Sequence, residues 1–175
     1  MNSPSKPAGK LSARELALLS LMAAVMFGSK LVLAAVPNVH LNALLIILTT
    51  LCFGWRALYT VGAYVLLEGL VYGFGLWWIS YVYAWPLLCL ATMLLRRNEG
   101  SLFWAIIAGG HGLCFGALCA LPYIFISGFP SAVAYWIAGI PFDLIHCAGN
   151  FAVTLILLKP LLRVMEKMIK NPGGA

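Results

Sequence analysis

The side chains best suited to chemistry lie in the stretch GIPFDLIHCAGNF, where Asp143, His146 and Asn150 follow one another at spacings of three and four. That spacing sets all three on one face of a helix. A carboxylate, an imidazole and a carboxamide in line, on an otherwise apolar run, need a shared polar environment. Either a ligand pocket or hydrogen bonds to a neighbouring helix would supply it. Lys30 and Glu68 are isolated charges inside other apolar runs, and Glu68 shares a face with Tyr64 and Tyr72. An unpaired charge in an apolar interior is very costly. Lys30 is therefore expected to pair with Glu68 or Asp143, or else one of these groups meets a ligand's charge.

Rings and hydrogen-bonding groups surround these charges in the sequence. WWISYVYAW carries Trp77, Trp78, Tyr81, Tyr83 and Trp85. Trp77 and Trp78 fit an interfacial aromatic belt equally well. Tyr81 and Trp85, four apart, share a face that could stack on a flat ring or cover a cation. His111 adds a second imidazole inside an apolar run. PNVHLN, stiffened by Pro37, offers Asn38, His40 and Asn42, either at the mouth of a pocket or as a plain turn.

No Walker motif, GxSxG, HExxH or paired-carboxylate motif is present, so neither ATP hydrolysis nor a familiar hydrolase chemistry is expected of this chain. The cysteines at 52, 89, 114, 119 and 147 form no CxxC pair and read as small apolar core residues. No catalytic residue, metal site or cofactor is expected.

The elements that must hold these groups are set by composition. Of 175 residues, 63% are apolar and 9% charged, and the mean hydropathy is +0.97. A water-soluble domain carries about a quarter charged residues, so lipid must cover much of this surface. The net charge of +6 then marks cytoplasmic loops rather than a nucleic-acid site. Helices are expected over about 12–35, 41–54, 57–73, 78–95, 101–126 and 141–168, with a short segment, 131–138, at the membrane surface. Residues 1–10 and 171–175 read as disordered tails flanking a single membrane domain, 11–170. Lys and Arg occur before the first helix, at Arg56, at Arg96 and Arg97, and after the last helix, while PNVHLN, YGFGLWW and SGFPSA carry none. This alternation predicts an all-α bundle of six transmembrane helices with cytoplasmic N- and C-termini. The helix over 12–35 carries a stripe of small residues, Ala13, Ala17, Ser20, Ala24 and Gly28, and the helix over 101–126 a row, Gly112, Gly116 and Ala120. Either can seat a close-packed helix, from the same chain or, for the first stripe, from a partner.

The length and topology, the first-helix stripe, the stretch PNVHLNALLIILTTLCFGWRALYTVGAYVLLEGLVYGFGLWW, and GIPFDLIHCAGNF with its basic tail together resemble the substrate-binding S components of energy-coupling factor (ECF) transporters. The resemblance covers nearly all of 11–168. It implies a prokaryotic plasma-membrane protein that binds a vitamin or related micronutrient from outside. Its partners would be a transmembrane coupling subunit and two cytoplasmic ATPase subunits, with no nucleic acid. It also implies toppling within the membrane to deliver the substrate. Docking through an AxxxA-type motif on the first helix is implied, matched by Ala13 and Ala17, with Ser20 and Ala24 as a small-x3-small pair. A pocket near the outer ends of the later helices and the first outer loop is implied, which makes Asn38, His40, Tyr81, Trp85, His111, Asp143, His146 and Asn150 the ligand-binding candidates. Lys30 and Glu68 remain candidates for a ligand contact or an ion pair. The rival readings are a stand-alone secondary transporter or channel with Glu68 or Asp143 as a proton site, and a membrane enzyme using His146 and Asp143.

Overall fold

Glycine and proline decide where the helices stop. The computed structural model describes residues 11–33 and 40–170 and, among these, contains helices and no strand. The helices are α1 (Ala13–Val32), α2 (Asn42–Phe53), α3 (Ala57–Tyr72), α4 (Leu76–Leu95), α5 (Ser101–Ser127) and α6 (Phe129–Lys170), with a single 3-10 turn, Gly54–Arg56, between α2 and α3. Ser12 and Glu15 close a capping box at the start of α1, each side chain bonding the other's backbone N–H. Gly54 ends α2 at φ +61° and Gly128 alone joins α5 to α6 at φ +83°, a region that residues with a Cβ rarely adopt. The tails expected at 1–10 and 171–175, and Asn38, lie outside the described residues.

Among the described residues, five helical runs are long and apolar enough to cross a membrane: Ala13–Val32, Asn42–Tyr72, Leu76–Leu95, Ser101–Ser127 and Phe129–Lys170. These are the helices of a multi-pass membrane protein. The second run is folded back on itself. The Asn42 carboxamide donates to the Tyr64 hydroxyl at 2.7 Å, whereas 22 residues of straight helix would hold them roughly 33 Å apart. Alone, α2 spans only about 18 Å. It packs against every other helix and is buried without interruption from Asn42 to Thr50, as expected of a helix apolar on all sides. The Thr49 and Thr50 hydroxyls donate to the carbonyls one turn back, at 2.6 and 2.7 Å, and so need no outside partner.

The C-terminal third corrects the sequence expectation. Instead of a surface segment at 131–138 followed by a helix at 141–168, one helix runs from Phe129 to Lys170. Pro130 falls in its first turn, where no N–H is required, and Pro141 is accommodated within it because neighbouring groups in a membrane bundle can take over freed backbone partners. α5 and α6 form an antiparallel hairpin. Tyr123 stacks on Tyr135 at 4.4 Å, the Gly116 N–H donates to Asp143 at 2.9 Å, and Asn150 donates to the Ala108 carbonyl at 3.3 Å.

Charge separates the two ends of the bundle. The Arg14 guanidinium donates to the Met168 carbonyl, and Arg56 pairs with Glu15 at 2.6 Å. These contacts gather the start of α1, the α2–α3 turn and the end of α6. Met93, three residues before Arg96, lies beside Gly54 at the same end. Lys30 is at the opposite end, in the last turn of α1.

Candidate ligand-binding site

At the end remote from the basic cluster, α1, α3 and α4 bring Lys30, Glu68 and an arc of rings together. Lys30 pairs with the Glu68 carboxylate, the first of the two partners the sequence allowed. Glu68 sits in the last two turns of α3 with no solvent exposure. Its Oε2 takes the ammonium, while its Oε1 is buried without a hydrogen-bond partner. The ammonium also lies 4.7 Å from the centre of the Tyr72 ring and 5.8 Å from those of Trp77 and Tyr81. Trp77 is thus brought to the cluster, and Trp78 turns the other way. The Trp78 indole donates to the Val65 carbonyl at 2.8 Å and crosses the bare backbone of Gly69.

The rings continue inward. Tyr81 meets Trp85 edge-on at 5.6 Å and Phe115 at 5.9 Å. Trp85 packs against Phe115 at 5.1 Å and His111 at 5.4 Å. Phe115 meets His146 at 5.1 Å, and His146 meets His40 at 5.9 Å. All three histidines of the chain therefore belong to one cluster with Tyr81 and Trp85. His111 Nε2 lies 3.0 Å from the Ala84 carbonyl, so in the neutral ring Nε2 carries the proton and Nδ1 is left as an acceptor. That Nδ1, the Trp85 Nε1, the His40 Nδ1 and the Asn42 Oδ1 are buried without partners. Unsatisfied buried polar atoms are rare and costly, and here they converge on one aromatic cluster.

The polar line on α6 divides its work. Asp143 and Asn150 bond the backbone of α5, whereas His146 faces the rings. The approach is close because of the α5 glycines. A Cβ on Gly116 would lie 2.3 Å from the Asp143 carboxylate, and one on Gly112 would lie 2.9 Å from the His146 backbone. Asp143 Oδ2 and Asn150 Oδ1 have no partner, so both keep an acceptor for a further group. Asn42, expected at the pocket mouth, is instead the buried first residue of α2, tied to Tyr64. Phe115, which touches Tyr81, Trp85, His111 and His146, gave no signal in the sequence because a phenylalanine among apolar residues marks only burial. Tyr72 was visible only as a neighbour of Glu68 on its face.

The cavities seen elsewhere do not reach this cluster. One of about 310 Å³ lies among Arg163, Glu166, Lys167 and Lys170 at the basic end. Another, about 440 Å³, is an apolar lateral groove lined by Ile79, Tyr83, Leu121, Pro122, Phe125 and Ile126. The ring cluster combines apolar and aromatic side chains with a few placed polar groups, the composition found in small-molecule sites. Among the described residues no cluster of His, Cys, Asp and Glu is arranged to hold a metal ion. No protein-family model matches the chain, and neither curated proteins nor solved structures yield a match.

Proposed function

We propose that this chain is the high-affinity substrate-binding membrane subunit, or S component, of an ECF-type importer for a vitamin or related small micronutrient. It would cross a prokaryotic plasma membrane with six helices and both termini in the cytoplasm. The gathering of basic residues at one end supports that orientation. α2, too short to span alone, is enclosed by the other helices and never has to satisfy lipid by itself. The ring cluster then faces outside, where a substrate would arrive.

The observation that carries the proposal is on α1. Leu19, Met22, Ala23 and Met26 are buried, and Ala13, Ala17, Ser20 and Ala24 are all exposed on the opposite side. A Cβ added at Gly28 would meet nothing within 4 Å. The small stripe is therefore not spent on packing within the chain. A bare strip of small side chains lets another membrane helix approach closely, and this one begins at the basic end, where cytoplasmic ATPases would act through a coupling subunit.

Reconstitution into liposomes tests the reading. Uptake is expected only when the chain is combined with the coupling subunit and its ATPases and supplied with ATP. Robust uptake by the chain alone would overturn the proposal in favour of a secondary transporter or channel. Mass spectrometry of small molecules that co-purify with the chain would name the substrate.

A further inference from the structure

The Lys30 ammonium sits in an arrangement that resembles a receptor for a cation. Its walls are the Glu68 carboxylate and the rings of Tyr72, Trp77 and Tyr81. A ring face carries negative charge density and attracts a cation, Trp most strongly. Every wall thus favours the same sign, and an anionic group placed there would face a carboxylate and three electron-rich surfaces.

The two members of the ion pair differ in mobility. Glu68 is fully buried on α3, with Oε1 left unpartnered. Lys30 comes from the last turn of α1, and its side chain is 23% exposed. An ammonium on a four-carbon stem can swing out to water. A buried carboxylate cannot follow it, and would be left needing another cation. Beside the cage Tyr81, Trp85 and Phe115 pack on one another, and the Trp85 Nε1 and the His111 Nδ1 offer an unused donor and an unused acceptor, so a flat ring of the ligand would stack among these rings by parting them.

We infer that the Glu68–Tyr72–Trp77–Tyr81 cage is the subsite for a positively charged group of the ligand, held by the Lys30 ammonium until the ligand displaces it. The substrate class is then a small flat heterocycle bearing a quaternised or protonated nitrogen. The inference rests on the binding-subunit reading and adds the sign of the ligand's charge to it.

A matched series of flat heterocycles tests the sign: 1-methylnicotinamide as cation, nicotinamide as neutral form and nicotinate as anion. Each is titrated against the full chain in lipid nanodiscs, with tryptophan fluorescence as readout. The cation is expected to bind at least about tenfold more tightly than the other two. Glu68→Gln should weaken the cation by at least about tenfold without weakening nicotinate, and Trp77→Leu, which leaves the ion pair intact, should weaken the cation alone by about tenfold. Lys30→Met removes the competitor and should tighten cation binding. If that variant folds poorly because Glu68 is left unpaired, the cation but not nicotinate should raise its melting temperature. Equal affinity for the three probes, no binding of the cation at millimolar concentration, or preference for nicotinate that Lys30→Met abolishes would each overturn the inference. None of these results bears on the importer reading, which fails separately if the lone chain carries out uptake.

Discussion

The Tyr83 hydroxyl donates to the Leu118 carbonyl at 2.5 Å, and Leu118 is the acceptor that Pro122, four residues on, leaves without its helical partner. A side chain of α4 thus repairs a backbone gap in α5 beside the apolar lateral groove, where water is scarce. Tyr83→Phe should destabilise the folded chain by about 1 to 2 kcal/mol, measured by unfolding in detergent or nanodiscs. Pro122→Ala restores an N–H to the helix, so in that background the cost of Tyr83→Phe should fall close to zero. A double-mutant cycle reads the difference directly. Additive costs would show that Tyr83 contributes by packing alone.

The α5 glycines differ in what surrounds them, and their alanine variants should differ accordingly. At Gly116 a Cβ would overlap the Asp143 carboxylate, and at Gly112 it would press on the backbone of α6. At Gly110 it would meet nothing within 4 Å. Gly112→Ala and Gly116→Ala should each cost about 1 to 3 kcal/mol by overpacking. Gly110→Ala should be neutral or should stabilise by up to about 1 kcal/mol through helix propensity. Thermal unfolding of the three variants would check the order, and an equal response at all three positions would contradict the close α5–α6 approach.

Helix positions were legible where the sequence carries punctuation. The stops at Gly54, Gly73 and Gly128 fall where the chain turns, and the basic residues alternate with uncharged connections. Proline misled at the C-terminal third, because Pro141 suits the first turn of a helix but also sits inside one where a bundle can re-satisfy the backbone. The charged residues of the cluster were legible for a physical reason: in so apolar a chain each charge must have a cause. Lys30 and Glu68 were thus recognisable as a pair, though nothing in the spacing chose Glu68 over Asp143. Phe115 and the inward turn of Trp77 were not legible, since ring-to-ring contact depends on helix rotation and tilt, which apolar runs without a polar face leave unspecified.

His40 gives the site a pH response with a definite sign. It lies between α1 and α2, next to His146 and close enough to Lys30 and Glu68 to feel both charges. Burial, reinforced by the Lys30 charge and opposed by Glu68, holds its pKa below the ordinary 6.5. The folded chain therefore binds fewer protons at this ring than the unfolded chain does. Stability from this ring is intact above the unfolded value and declines as the pH falls below about 6.5 towards the folded value. Between about pH 7.5 and about pH 5.5 the melting temperature of the native chain should fall by more than that of His40→Gln. Parallel curves would remove His40 as the cause.

The exposed stripe on α1 allows the proposed docking to be tested apart from folding. Ala17, Ser20 and Ala24 are exposed and face away from the buried side of α1, so a leucine at any of them is not forced into the core. Ala17→Leu, Ser20→Leu and Ala24→Leu should each change stability by no more than about 0.5 kcal/mol and leave ligand binding intact. If a partner helix lies along this strip, a side chain of that size holds it off. Co-purification with the coupling subunit should then be lost in at least one variant, with uptake lost alongside it. A position where leucine is tolerated lies outside the contact, so the pattern of losses would map how far towards Gly28 the partner helix runs. Retention of the coupling subunit by all three would mean that α1 is not the docking face.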